Sequence, residues 1–219
     1  MTQEIIPYRR FRLLLILSLL AISVTCVRAQ KQFALSNNLV HSAVLTPNLR
    51  FEARTDTAWS FALSFGYRPW PRNDERARKY RHFNLEFRAR RWANDSTQTW
   101  TGWYYGYDAR WIHYNLSNIH LHYFGMFGDA RHYRMQGNLL GLGTFGGYSW
   151  SLGRHWTVET EAGLDLAYLH YRLYDKPHCG CLIRRENKIY LMPNISVNLA
   201  WHFNFCGCDK PPYAKRRYW

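Results

Sequence analysis

The chain has 219 residues, with 29 Lys and Arg against 15 Asp and Glu, a formal net charge of +14 and 17% aromatic residues. That length suits one domain with an ample core, and 47% hydrophobic content excludes a disordered chain. A mean hydropathy of −0.44 argues against a helical membrane protein, while the basic balance points to nucleic acid or an anionic surface.

Arg9, Arg10 and Arg12 precede an apolar run from Leu13 to Val24, which ends at Val27-Arg28-Ala29. A basic start, a short apolar segment and a small residue before Gln30 describe a cleaved secretory signal over 1–29. The run is too short for a comfortable spanning helix. Cys26 raises a lipoprotein alternative, but Thr25 before it and the lack of a leucine three residues upstream make a poor acylation site. A buried soluble helix suits the composition less well than export. Removing 1–29 takes away Arg9, Arg10, Arg12, Arg28 and Glu4 and lowers the net charge from +14 to +11. Export disfavours DNA or RNA as partner and places the remaining cysteines in an oxidising compartment.

After Gln30 the pattern is period-two alternation, which predicts strands at about 32–45, 47–55, 58–69, 82–93, 102–116, 136–151, 154–174 and 187–205. In the third, Trp59, Phe61, Leu63, Phe65 and Tyr67 oppose Ser60, Ala62, Ser64 and Gly66. In the fourth, Phe83, Leu85, Phe87 and Ala89 oppose Asn84, Glu86, Arg88 and Arg90. The seventh sets Val158, Ala162, Leu164, Leu166 and Tyr168 against Glu159, Glu161 and Asp165. The eighth sets Ile189, Leu191, Ile195, Val197, Leu199, Trp201, Phe203 and Phe205 against Asn194, Ser196, Asn198, His202 and Asn204.

Connections at 70–81, 117–135 and 175–186 are long and alternate with shorter ones near 55–58, 94–101 and 152–153. An outer-membrane barrel has short periplasmic turns, long outer loops and an even strand number of at least eight. The expected fold is therefore all-β: an eight-stranded antiparallel up-and-down transmembrane β-barrel over 30–208, after the signal. A basic periplasmic tail follows at 209–219, with Lys210, Lys215, Arg216 and Arg217. The tight Thr46-Pro47 connection departs from this pattern.

The tryptophans test that topology separately. Trp59, Trp92, Trp100, Trp103, Trp150, Trp156 and Trp201 lie near strand ends on one predicted side, as an interfacial girdle on the periplasmic side requires. Packing inside a soluble sandwich or a lipocalin-like barrel predicts no such clustering. With apolar faces outward, the lumen receives Arg50, Glu52, Arg54, Glu86, Arg88, Arg90, Asp108, Arg110, Glu159, Glu161 and Asp165, a nearly neutral set. Eight strands leave room that side chains can fill, and unpaired buried charge is costly. A plugged barrel is the expectation.

The segments Leu45-Thr46-Pro47-Asn48-Leu49 and Gly102-Trp103-Tyr104-Tyr105-Gly106 carry a family resemblance. So do Gly146-Gly147-Tyr148-Ser149-Trp150 with Gly153-Arg154-His155-Trp156, then Gly163, Tyr168, Tyr171 and Tyr174, the cysteine-containing loop at 179–181, and Asn194-Ile195-Ser196-Val197. The chain resembles the uncharacterised outer-membrane β-barrel proteins, classed as a domain of unknown function, of Bacteroides-type Gram-negative bacteria. The resemblance implies location in the bacterial outer membrane and a link to fimbria anchoring or assembly through an envelope or fimbrial protein partner. It supplies no activity. The second Cys-Gly-Cys and the tail to Trp219 depart from the family pattern.

Cys179-Gly180-Cys181 and Cys206-Gly207-Cys208 superficially suggest a zinc site, with His178 nearby. A strand of roughly eighteen residues at about 3.3 Å each separates them. The pairs then lie at opposite ends, too far apart for shared zinc or a cross-link. Local disulfides or partner thiols remain. His120 and His122, two apart, could share a strand face as two metal ligands, with His132 in the same loop, against the plainer reading of exposed loop histidines. A lipid-modifying enzyme would need histidine paired with serine or acid near the outer rim. His170 and Asp175 fall on opposite faces, and no Gly-x-Ser-x-Gly or His-Glu-x-x-His occurs. The expectation is a non-enzymatic structural or interaction protein without cofactor. Its basic segment Arg72, Arg76, Arg78, Lys79 and Arg81 would face outer-membrane lipid and lipopolysaccharide phosphates, or simply solvent.

Overall fold

The computed structural model describes residues 32–55, 58–69, 79–93, 100–119, 125–175 and 180–204. The expected signal over 1–29 and the tail at 209–219 lie outside them. Eight strands follow in chain order: β1 Gln32–Asn38, β2 Asn48–Arg54, β3 Trp59–Arg68, β4 Lys79–Trp92, β5 Gly102–Ser117, β6 Arg134–Ser151, β7 Trp156–Tyr174 and β8 Leu182–Asn204. Each pairs antiparallel with its neighbour, and β1 pairs β8 from Gln32↔Asn204 to Asn38↔Asn198, which closes the sheet into a barrel. Closure removes the unpaired edges an open sheet would present.

Alternation explains the strands. Arg88 and Arg90 are buried while Phe87 is exposed, so the charged face of the fourth strand looks inward. The same holds on β7, where Glu159, Glu161 and Asp165 are buried and Leu164, Leu166 and Tyr168 exposed. β6 and β7 join through Leu152–His155, where Gly153 sits at φ +140°, a conformation side-chain-bearing residues rarely adopt.

Most strand boundaries fall within three residues of the sequence reading, and two differ by five or more. The first strand stops at Asn38, and helix α1 spans Leu39–Ala43. Asn38 caps α1 by accepting from the backbone N–H of Val40 and His41. Asn48 holds the arrangement from β2, donating to the Asn38 carbonyl at 3.0 Å and the Ser42 hydroxyl at 3.3 Å. The β1–β2 connection is therefore a capped helix, which removes the anomaly of a bare Thr46-Pro47 turn. β8 starts at Leu182, five residues earlier than alternation indicated, because β7 pairs with it out to Tyr174↔Leu182.

Candidate functional site

The interior is filled in three layers. The middle layer is charged, and all eleven residues of the sequence-derived lumen set point into it. Arg50, Glu52, Arg54, Glu86, Arg88, Arg90, Asp108, Glu159, Glu161 and Asp165 are buried, and the Arg110 side chain is 9% exposed. Glu161 is the hub. It lies 3.2 Å from Arg50 and 2.7 Å from Arg90, pairs closely with Arg88, and accepts hydrogen bonds from Tyr104 (3.2 Å) and Ser196 (2.8 Å). Arg90 also reaches Glu159 at 3.0 Å and Glu52 at 3.4 Å. A second knot surrounds Arg110, 2.6 Å from Glu86, 3.0 Å from Asp108 and 3.3 Å from Asp165. The Asp165 contact meets ion-pair distance but is not aligned as a hydrogen bond. Arg54 stacks over Trp92 and Trp100, 5.0 and 5.7 Å from their centroids.

β6 makes room for this layer. Its inward positions opposite the long charged side chains include Gly141, Gly143 and Gly147. At Gly143 a Cβ would collide with the Asp165 carboxylate and approach Asp108 Oδ1 to 2.8 Å. An eight-stranded barrel is only wide enough for side chains to fill, so glycine on one wall admits arginine from another.

Apolar layers close both ends. At one end Trp92, Trp100, Tyr104, Phe145 and Ala34 pack together, with Trp92 edge-on to Trp100 at 5.7 Å. At the other, Tyr114, Leu116, Met135, Leu139, Leu169, Tyr171 and Leu173 pack with Met126 and Ala130, from the described part of the β5–β6 connection. We call these the tryptophan end and the cap end. Between them, beside Arg50 and Glu86, a polar cavity of about 20 Å³ holds room for about one water.

The tryptophan reading needs one correction. Trp103, Trp150, Trp156 and Trp201 are exposed on the outer face and Trp59 is partly exposed there. Trp92 and Trp100, at 2% and 6% exposure, belong to the inner aromatic layer and not to an outer girdle. Strand alternation accounts for Trp92, which shares its face with Arg88 and Arg90.

The outer face was only partly anticipated. Trp111, Leu140, Tyr168 and Ile189 stand in one registered row across β5–β8, all exposed. Toward the cap the next outward row is His113, Asn138, His170 and Asn187, all polar. His113 and Asn138 are hydrogen bonded at 2.9 Å, and His170 and Asn187 at 2.6 Å. The interior changes at the same level and in the opposite sense, from Arg110 and Asp165 to Leu139, Leu169 and Tyr114. Hydrophobic phase therefore inverts in four adjacent strands at one height. Adjacent apolar pairs mark the inversion in sequence: Trp111-Ile112, Leu139-Leu140, Tyr168-Leu169 and Ile189-Tyr190. Above it, Glu186 bonds Arg184 and Lys188 at 2.8 Å each. Hydrogen bonding from Lys188, then Tyr171, holds the Glu186 carboxyl below its ordinary range, and the same bond raises Lys188.

Other sequence candidates separate. Cys181 is an exposed free cysteine; Cys179, Cys206 and Cys208 lie outside the described residues, as do His120 and His122. His132 is exposed, and no group of three His, Cys, Asp or Glu among the described residues is placed to hold a metal. Arg72, Arg76 and Arg78 also fall outside the described residues.

This is an all-β protein whose sheet forms one ring around a buried charge network. The chain belongs to the DUF3575 family, proteins of unknown function, whose model matches residues 13–203. No curated protein and no solved structure matches it.

Proposed function

We propose that the chain is a small non-enzymatic β-barrel of the bacterial outer membrane, with a structural or interaction role and a plugged lumen. The observation that carries this reading is the phase inversion. Between the tryptophan end and the row Trp111–Leu140–Tyr168–Ile189 the barrel is apolar outside and charged inside, the reverse of a water-soluble barrel. Monomeric soluble proteins rarely expose apolar patches beyond a few hundred Å². Along β6 the belt runs eleven residues, ten steps, from Leu140 to Trp150. That is about 33 Å at roughly 3.3 Å per residue, and about 25 Å in height at a tilt near 40°. Transmembrane barrels carry an apolar band of about this height, flanked by aromatic girdles. Four exposed tryptophans and Trp59 supply that girdle at the tryptophan end.

In this reading residues 1–29 are removed on export, the cap end faces outward and the basic tail is periplasmic. The charged layer holds the strands together in place of a hydrophobic core. Fractionation of cells tests the location. The expected result is recovery in the outer membrane with a gel mobility that shifts on boiling. Recovery as a detergent-free soluble protein would overturn it. Planar-bilayer recording tests the plug, with no single-channel conductance expected.

A further inference from the structure

We propose that the outer face of β4–β8, at the cap end of the belt, is a binding site for a phosphate-bearing anionic lipid of the surrounding leaflet. The proposal deepens the membrane reading and rests on it. Two features of the same face meet there. One is an apolar groove of about 500 Å³ on the belt, lined by Phe87, Trp111, Leu140, Leu166, Tyr168 and Ile189 among others, with room for an acyl chain. The other is a basic row four residues along the strands from the groove's upper rim: Arg81, Asn115, Gln136, Arg172 and Arg185, in continuous register across five strands.

That row has an unusual composition. Arg172 and Arg185 are directly paired across β7 and β8 and both are exposed. Like charges directly opposite in a ladder destabilise it, and each strand offers outward positions where a carboxylate would relieve the conflict. Instead the described outward neighbours are Gln136, Asn187, His170, Tyr174, Ile183 and Arg134, with no carboxylate among them. Arg134 adds a third guanidinium beside them, oriented by bonds to Asn115 at 3.1 Å and Gln136 at 3.2 Å. Of the acidic residues described in this region, Asp129 and Glu186 are engaged by Arg184 and Lys188, and Asp175 follows β7 without an ion pair to the row. Among the described residues no carboxylate pairs with Arg81, Arg172 or Arg185, which leaves these three open to an external anion, while Arg134 also lies over the Tyr174 ring at 5.5 Å.

Phosphate fits the arrangement. Guanidinium forks bind it in bidentate fashion, and a phosphate bridging Arg172 and Arg185 turns their repulsion into shared attraction. The polar row His113–Asn138–His170–Asn187 lies between groove and cations, at the height where a lipid's glycerol or sugar would sit. Free phosphate shares the charge but would not use the groove, and the continuity of groove and cations selects a lipid.

The test uses the full chain in nanodiscs of phosphatidylcholine doped with a phosphorylated acyl-disaccharide glycolipid. Native mass spectrometry reads the lipid that stays bound on ejection. The wild type should retain the phosphorylated lipid over phosphatidylcholine, and R172Q/R185Q should retain it roughly tenfold less or weaker still. Arg154→Gln, at the opposite rim, should leave retention unchanged. A heat-modifiable gel on each variant confirms that the barrel is folded. Equal retention by folded wild type and folded R172Q/R185Q would overturn the site. Displacement of the lipid by millimolar inorganic phosphate alone would overturn the role of the groove. A wild-type chain that stays soluble and never enters the nanodisc would overturn the membrane reading itself.

Discussion

On β7 a single inward face carries Glu159, Glu161 and Asp165 toward the tryptophan end, and Leu169, Tyr171 and Leu173 toward the cap. The two stretches belong to one strand and are buried equally, yet their chemistry is opposite. Their exteriors are opposite too: Leu164, Leu166 and Tyr168 behind the charges, His170 and Arg172 behind the leucines. An interior is apolar where water outside supplies the drive to bury it. Where the outside is itself apolar and lies in lipid, burying more apolar surface gains little. Paired charges can then fill the space, provided each has its partners. On the proposed membrane reading, the lumen records which solvent the outer wall meets at each height.

The largest effect expected is at the hub of the charged layer. Glu161→Ala leaves Arg50, Arg88 and Arg90 without a common partner. Removing one partner of a buried pair costs about 3–5 kcal/mol, read as the shift in urea midpoint of the heat-modifiable form in lipid vesicles. A loss below about 1 kcal/mol would mean the layer does not act as a paired network. Next comes the outer wall. Leu142→Arg, within the belt, should cost about 2–4 kcal/mol, and Asn138→Arg, four residues away on the same face, about 0–1. Equal costs would erase the proposed boundary between them.

Gly143→Ala probes how closely the charged layer is fitted. Its Cβ would meet two carboxylates, and overpacking of this kind costs about 1–3 kcal/mol. Gly141→Ala is the internal control. Its Cβ would have nothing nearer than 3.7 Å, ordinary contact, so an effect within about 0.5 kcal/mol is expected. Matching losses at both positions would point to a general intolerance of β6 rather than to the carboxylates beside Gly143.

Much of this is legible in the amino-acid sequence. Period-two alternation located the strands and assigned eleven charged side chains to one face, because a one-residue slip would reverse every one of them. Trp92 was legible as well, since Arg88, Arg90 and Trp92 are spaced by two, but proximity to a strand end outweighed that spacing. α1 was not legible. Leu39, Val40 and Val44 suit a strand, and the helix depends on Asn48, nine residues past its start, bonding back to Asn38 and Ser42. The start of β8 was hidden because Arg184, Arg185 and Glu186 are polar on both faces, which reads as loop. Pairing with β7 settles them as strand. The change of phase near Tyr168-Leu169 was visible as two adjacent apolar residues, a break in alternation that passes as noise until four strands show it in one row.

The smallest expected effect separates the two regions by pH. Glu186 lies above the belt, bound to Lys188 and Arg184, and its carboxyl is held below the ordinary value of 4.5 by hydrogen bonds from Lys188 first and Tyr171 next. A lowered carboxyl contributes stability that is complete above its ordinary value and is lost as pH falls through the lowered one. Lys188 is raised above its ordinary 10.5 by the same bond, so its contribution is complete below that value and fades as pH rises past it. The cap-end segment of β8 should therefore be equally protected between about pH 5 and 10 and loosen outside that window. Amide exchange at Arg184–Lys188, corrected for intrinsic rate, measures it against Glu159–Asp165. Glu186→Gln should flatten the acid limb while leaving the β7 amides as they were. If the two segments lost protection together on acidification, the cap and the charged layer would be one cooperative unit, and the contrast between them would be one of composition alone.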